Sequence, residues 1–157
     1  MPSNHPPSLS RTDVDGIAAR FHLGQVDKSG RRYIDHPRAV ADAVADAGGS
    51  IHQQMAALLH DVVEDTEATT EDLARLGVAE PVLVLVDAMT KRDDESYDDY
   101  LRRLVTVPGA VMIKRADIAH NSSPERMRRL PTGTRNRLTT KYQRASRLLD
   151  RLERGDA

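Results

Sequence analysis

Apolar residues recur along this chain mainly at the i, i+3, i+4 spacing of a helix face, with almost none of the strict alternation of a half-buried strand. Start and stop residues divide the pattern into segments. Thr12 is placed to cap a helix running to about His22, and Pro37 suits the first turn of a second that Gly48 and Gly49 close. A third runs from about Ile51 to Thr66 through strong helix formers. Thr70, followed by Glu71 and Asp72, opens a short helix that Gly77 stops. Pro81 opens a Val/Leu-rich stretch to about Met89, whose VLVLV core also has strand propensity. Ser96 with Asp99 has the form of a capping box, with Asp in place of Glu. Pro108 begins the helix that holds Ile113 and Asp117, and from about Thr134 to Glu153 the residues Leu138, Tyr142, Ala145, Leu148, Leu149 and Leu152 fall on one stripe. About eight helices with short connections predict an all-α fold, a single compact helical bundle over residues 10–157. Residues 1–9 carry three prolines and read as a flexible tail.

Composition then narrows the functional classes. The chain has 157 residues, enough for one real core, and its 23 basic against 24 acidic residues give a formal charge of -1. That balance offers no general attraction to polymeric nucleic acid or to a membrane. There are no cysteines, which excludes disulfides, thiolate metal sites and cysteine nucleophiles. With no long apolar run and no apolar stretch of a signal peptide, a cytoplasmic protein, monomer or homodimer, is expected. One local bias stands out: Arg115, Arg126, Arg128, Arg129, Arg135, Arg137, Lys141, Arg144 and Arg147 crowd the last third. They read either as solvated helix faces or as a cationic rim for a phosphorylated ligand.

Chemistry shows most clearly in Ala56 to Thr66, AALLHDVVEDT. At about 100° per residue, His60, Asp61, Glu64 and Asp65 share an arc of about 140°, opposite Met55, Leu58, Leu59, Val62 and Val63. Three acids at this spacing repel one another unless something positive neutralises them. A bound cation does so economically; a solvated acidic face is the alternative. Two other segments favour the cation. His36 directly precedes a proline-started helix, and Asp117 sits in MIKRADIAHN, where Lys114, Asp117 and Asn121 share a face beside Ile113. An aspartate so flanked is costly to bury without a partner, either a metal or an arginine. Together His36, His60, Asp61 and Asp117 form a mixed imidazole–carboxylate set suited to manganese, iron or zinc. Such a set leaves a coordination position for water, whose pKa the metal lowers. Glu64 and Asp65 lie one turn beyond, placed to orient or deprotonate that water or to manage the leaving group.

The order His36, His60-Asp61, Asp117 resembles the HD superfamily of metal-dependent phosphohydrolases. Within it, the chain is most similar to the hydrolase domain of the Rel/Spo alarmone enzymes and their small stand-alone relatives. The pieces that carry the resemblance are HLGQVDKSGRRYIDHPRAVADAVA, AALLHDVVEDTEATTEDL, DAMTK and IKRADIAHN, between Ala18 and Asn121. The resemblance implies an HD-type bundle that removes the 3′-pyrophosphate of guanosine tetra- and pentaphosphate, usually with Mn2+; Fe2+ or Zn2+ would also suit the donors. It implies metal ligation by His36, His60, Asp61 and Asp117 and a catalytic acidic pair in Glu64 and Asp65. Substrate contacts would come from Lys28, Ser29 and Asn121, with Tyr33 lining the same space. The synthase region of those enzymes is not expected here.

Two departures bear on the substrate. The resembling enzymes typically carry an arginine that stacks on guanine where this chain has Asp27, an acid expected to repel further phosphates. After Asn121 the chain runs Ser122-Ser123-Pro124-Glu125 in place of a Met-Arg-Thr run, while Arg31 and Arg32 replace an acid-proline pair. The reading is a metal-dependent phosphohydrolase for a ribose-phosphorylated nucleotide, by attack of metal-activated water on phosphorus. Alarmones are the first candidates and phosphorylated dinucleotide cofactors the next. The alternative is a non-catalytic nucleotide-sensing or partner-binding protein that keeps the fold.

Overall fold

Side-chain hydroxyls set where the helices begin. In the computed structural model, which describes residues 8–28 and 30–156, Ser10, Ser50 and Thr69 close capping boxes with Asp13, Gln53 and Asp72. These open α1 (Arg11–Phe21), α3 (Ile51–Leu59) and α5 (Thr70–Arg75). The expected cap at Thr12 is therefore displaced to Ser10, whereas α5 begins at Thr70 as expected, capped by Thr69. Only Ser10 and Thr69 have an aspartate three residues on that returns a bond to the cap N–H, at 2.8 and 2.9 Å. Ser96 caps α7 (Tyr97–Leu104) one-sidedly, accepting from Asp99 N–H at 3.0 Å. The remaining elements are α2 (Asp35–Asp46), α4 (Val62–Asp65), α6 (Glu80–Met89), α8 (Ala110–Asn121), α9 (Pro124–Arg128) and α10 (Thr132–Glu153). Among the described residues the fold is all helical, and the VLVLV stretch is a helix with Pro81 in its first turn. No described helix is long and apolar enough to cross a membrane. Most of the tail expected over residues 1–9 lies outside the described residues; Leu9 packs against the core.

The segment expected as one helix from Ile51 to Thr66 is broken at His60–Asp61, into α3 and the single turn α4. The cause is local. His60 Nδ1 donates to the carbonyl of Ala57 at 2.6 Å, the acceptor that a continuing helix would offer to the Asp61 N–H. The break turns both side chains toward the interior end of α3.

That interior end is well anchored because α3 is the central helix. Met55 to Leu59 are all buried, and α3 packs against α1, α2, α6 and α8. Burying each aliphatic side chain contributes about 1.5–3 kcal/mol, so the last turn of α3 is a rigid mount for His60 and Asp61. The stripe expected on α10 is real: Ala145, Leu148 and Leu149 are buried, with Tyr142 and Leu152 packed partly against the core.

The loop from α6 to α7 is fixed by one cation. Arg103 donates through Nε to Glu95 at 3.1 Å, and through its terminal nitrogens to the carbonyls of Thr90 and Asp87 at 2.7 and 3.2 Å. The hydrogen bonds from Arg103, with a further one from the Arg92 N–H, draw the Glu95 carboxyl from its usual 4.5 down to about 2. A carboxyl with a depressed folded pKa stabilises the protein above its unfolded pKa and loses that contribution as pH falls through the folded value. Glu95→Gln should therefore melt a few degrees below the parent at neutral pH, each kcal/mol moving the midpoint of a chain this size by about 2–4 °C. The gap should close between pH 4.5 and about 2. A gap that persists in acid would assign the loss to something other than the Glu95 charge.

Candidate metal centre

Three elements deliver four side chains to one buried point. His36 comes from the first turn of α2, His60 and Asp61 from the break after α3, and Asp117 from the buried face of α8. His36, His60 and Asp117 are 3%, 2% and 6% exposed. Ligand atoms of His36, His60 and Asp61 all lie within 4.8 Å of one another. Asp117 Oδ1 joins them, 2.9 Å from His36 Nε2 and 3.3 Å from His60 Nε2, and Asp61 Oδ2 is 3.0 Å from His60 Nε2. Although two carboxylates are that close, buried His60 Nε2 makes no well-directed hydrogen bond. Converging imidazole nitrogens and carboxylate oxygens around such an atom are a donor set for a divalent cation.

The electrostatics carry the same demand for positive charge. Burial opposes a charged His60, but Asp61 and Asp117 outweigh it and hold its pKa well above the usual value. Burial likewise opposes ionisation of Asp117, and Lys114 with the two histidines overrides it, holding the carboxyl well below the usual range. The ion-pair partner of Asp117 is Lys114, buried and 3.0 Å from Oδ2, and not the expected arginine. Tyr33 adds a constraint. Its hydroxyl is 2.7 Å from Asp61 Oδ2 and 2.8 Å from Asp65 Oδ2, and one phenolic proton serves only one carboxylate at a time. Burial and these two acids raise the phenol's pKa, so it stays a donor.

The two histidines are oriented differently. His60 donates to a backbone carbonyl, which fixes the proton on Nδ1 and leaves the Nε2 lone pair facing the cluster. His36 instead meets another imidazole, with its Nδ1 2.7 Å from His120 Nδ1. The ring centroids are 4.9 Å apart with planes 24° apart. A nitrogen separation that short at that centroid distance requires the rings to lie end to end, so the contact is a hydrogen bond and not a stack. Were His36 to hold a cation through Nε2, its proton would sit on Nδ1 and His120 would accept it. Burial, then the neighbouring His36 and Arg126, push His120 down to about 4, which suits a neutral acceptor. Sequence reasoning missed His120, although its place three residues after Asp117 was legible.

Two adjoining cavities share Tyr33, Asn121, Arg126, Lys141 and Tyr142. The one of about 210 Å³ holds the four candidate ligands, Glu64, Lys91 and Lys114. The one of about 410 Å³ has an apolar side of Val26, Leu130 and Leu138 and a polar side that includes Asp27, Lys28 and Asp65. The acidic pair is thus divided, Glu64 facing the candidate metal site and Asp65 the larger cavity. Partial burial, then Asp61, raises both carboxyls above their usual values, and Asp65 adds to the rise of Glu64. Asn121 is already engaged, donating to Asp117 Oδ1 at 3.1 Å. Ser29 lies outside the described residues.

Sequence reasoning offered Arg126 and Lys141 only as members of a candidate cationic rim, and packing of α9 and α10 is what brings them to the cavities. Lys141 places its ammonium 4.6 Å from the centre of the Tyr97 ring, whose other cation is Lys114 at 5.5 Å. Arg31 and Arg32 do not restore charge to either cavity; they pair with Glu125 and Asp35 at 3.1 and 3.3 Å. Nor does Asp27 stand bare. Its side chain is 5% exposed and accepts from Arg126 at 3.0 Å.

Comparison with known proteins places this geometry among relatives. Residues 16–133 match the HD domain family. The chain is 41% identical over 114 residues, 67% of its length, to a GTP pyrophosphokinase of Streptomyces coelicolor. It is 34% identical over 135 residues, 75% of its length, to the bifunctional (p)ppGpp synthase/hydrolase SpoT of Escherichia coli. The aligned region spans only 13% and 19% of those two proteins. A solved structure of a metazoan SpoT ortholog, described as hydrolysing ppGpp, superposes with a TM-score of 0.74 at 24% identity, over 92% of this chain and 88% of that one. The shared helical fold accounts for that likeness.

His120→Phe keeps the ring and removes the acceptor opposite His36. Calorimetric titration of the metal-stripped protein should show divalent-metal affinity weakened about 10–100-fold. His120→Asn, whose Oδ1 stands near the place of the imidazole Nδ1, should recover most of it. Equal affinity in the Phe variant and the parent would show that His120 does not support the site.

Proposed function

The chain belongs to the HD domain family, and on that premise we propose that it is a metal-dependent phosphohydrolase for a ribose-phosphorylated nucleotide, first of all a (p)ppGpp 3′-pyrophosphohydrolase. The observation that carries the proposal is the buried convergence of His36, His60, Asp61 and Asp117 beside a cavity lined by cations. The donors fit the group: buried His60 Nε2 makes no well-directed hydrogen bond, and two carboxylates face it. These four residues would hold one divalent transition metal, most simply manganese, with iron or zinc acceptable to the same donors. When bound, it supplies Lewis-acid stabilisation of charge on the phosphoryl oxygens and activation of water at neutral pH.

The chain's own residues supply the rest. Glu64, on the metal side, has a carboxylate placed to take the proton that water loses, and its raised pKa makes it a better base than an ordinary glutamate. Asp65 and Tyr33 hold the boundary between the cavities, the phenol donating to one carboxylate. Lys28, Lys141 and Arg126 bring positive charge to the nucleotide's phosphates, and Asn121 joins Asp117 to the larger cavity. The apolar side of that cavity, Val26, Leu130 and Leu138, offers a surface for a base. The relatives named for (p)ppGpp synthesis and hydrolysis support the alarmone as first substrate.

The test is release of phosphate and pyrophosphate from a panel of guanosine alarmones, adenosine analogues and phosphorylated dinucleotides with added manganese. Turnover should be lost together with metal binding in Asp61→Ala. Glu64→Gln should keep the metal and lose about 10²–10⁴-fold in rate. Full activity in both variants would overturn the mechanism. Bound metal with no release from any substrate would favour a nucleotide sensor.

A further inference from the structure

Two ion pairs tie the loop after α1 to α9. Asp27 accepts from Arg126 Nη1 at 3.0 Å and from the Arg31 N–H at 3.0 Å, and Arg31 in turn meets Glu125 at 3.1 Å. The outer pair is 51% and 61% exposed, so solvent screens it. The inner pair, at 5% for Asp27 and 22% for Arg126, is sheltered and spans 99 residues of chain. Arg126 also lines both cavities, and its bond to Asp27 engages one of its terminal nitrogens. The residue therefore borders the space where a nucleotide would lie while its guanidinium is held at one end.

An acid in a cavity that receives phosphates should, from charge alone, weaken binding. The geometry points to the opposite sign. We propose that Arg126 is a phosphate-binding residue of this site and that Asp27 is its positioning residue, so that the Asp27 carboxylate strengthens the binding of a nucleotide polyphosphate. An unheld arginine has many rotamers, and ordering it on binding costs affinity. Asp27 does that ordering in advance. Its own charge lies against the guanidinium, so an incoming phosphate meets a directed donor and not a bare carboxylate. This role rests on the proposed function for its ligand class and deepens it: the polyphosphate-reading guanidinium is delivered from α9.

Guanosine 5′-diphosphate, which lacks a scissile 3′ group, is the probe. It would be titrated calorimetrically into the full chain and into Asp27→Asn, Arg126→Gln and the double variant, with circular dichroism to confirm folding. Arg126→Gln should lose on the order of tenfold in affinity, the worth of one charge-assisted hydrogen bond. Asp27→Asn, nearly isosteric and one negative charge poorer, should also bind more weakly, and the double variant should bind no worse than Arg126→Gln. Arg126→Lys, which keeps the charge and loses the fork, serves if the asparagine variant fails to fold; it too should bind more weakly. Tighter or unchanged binding by Asp27→Asn, losses that simply add, parental affinity in Arg126→Lys, or no binding by the parent would each overturn the proposal. The pattern in binding with no hydrolysis of any 3′-phosphorylated nucleotide would instead sink the hydrolase reading and leave this one standing.

Discussion

Two carboxylates, Asp61 and Asp117, face two buried imidazoles with one buried ammonium, Lys114, to offset them. A buried ion without compensation costs several kcal/mol. Two negative charges against one positive leave a deficit that must be met from outside the carboxylate–lysine pair. A proton on His60 meets it in part, which is why its pKa rises despite complete burial. A divalent cation meets it better, because it also satisfies the lone pair of His60 Nε2. The remaining structure serves to hold this cluster together in a low-dielectric interior without letting it relax.

Rigidity comes from both ends of the cluster. On one side, the buried last turn of α3 and the His60–Ala57 bond fix the break that carries His60 and Asp61. On the other, α8 places Lys114, Asp117 and Asn121 on one face, so that counter-charge, ligand and cavity contact share a single rigid element. Arg103 and Glu95 fix the loop bearing Lys91, and the Tyr97 ring lies between Lys114 and Lys141. Charge is thus graded, from a buried anion-rich point to a cation-lined opening. Such a gradient suits a polyanion that brings one phosphoryl group to a cation.

Much of this is legible in the sequence. An arc of His60, Asp61, Glu64 and Asp65 opposite an oily face, with His36 before Pro37 and Asp117 amid apolar neighbours, identifies the cluster, because buried charge needs a partner wherever the chain goes. The helices are legible for the same reason that they are stable, their capping residues and apolar spacing. The features that escape depend on contacts that spacing does not encode. The break at His60–Asp61 comes from a side chain competing for a backbone acceptor. The role of Lys141 and Tyr142 depends on how α10 lies across α7 and α8. The sign of Asp27's effect depends on a partner 99 residues away.

Whether these four side chains hold one divalent ion is tested most directly by anomalous diffraction from crystals of the metal-stripped protein soaked in manganese. A single strong peak bounded by His36 Nε2, His60 Nε2 and the carboxylates of Asp61 and Asp117 is expected. An empty cluster, or a peak that lies only on the exposed acids of the surface, would contradict it.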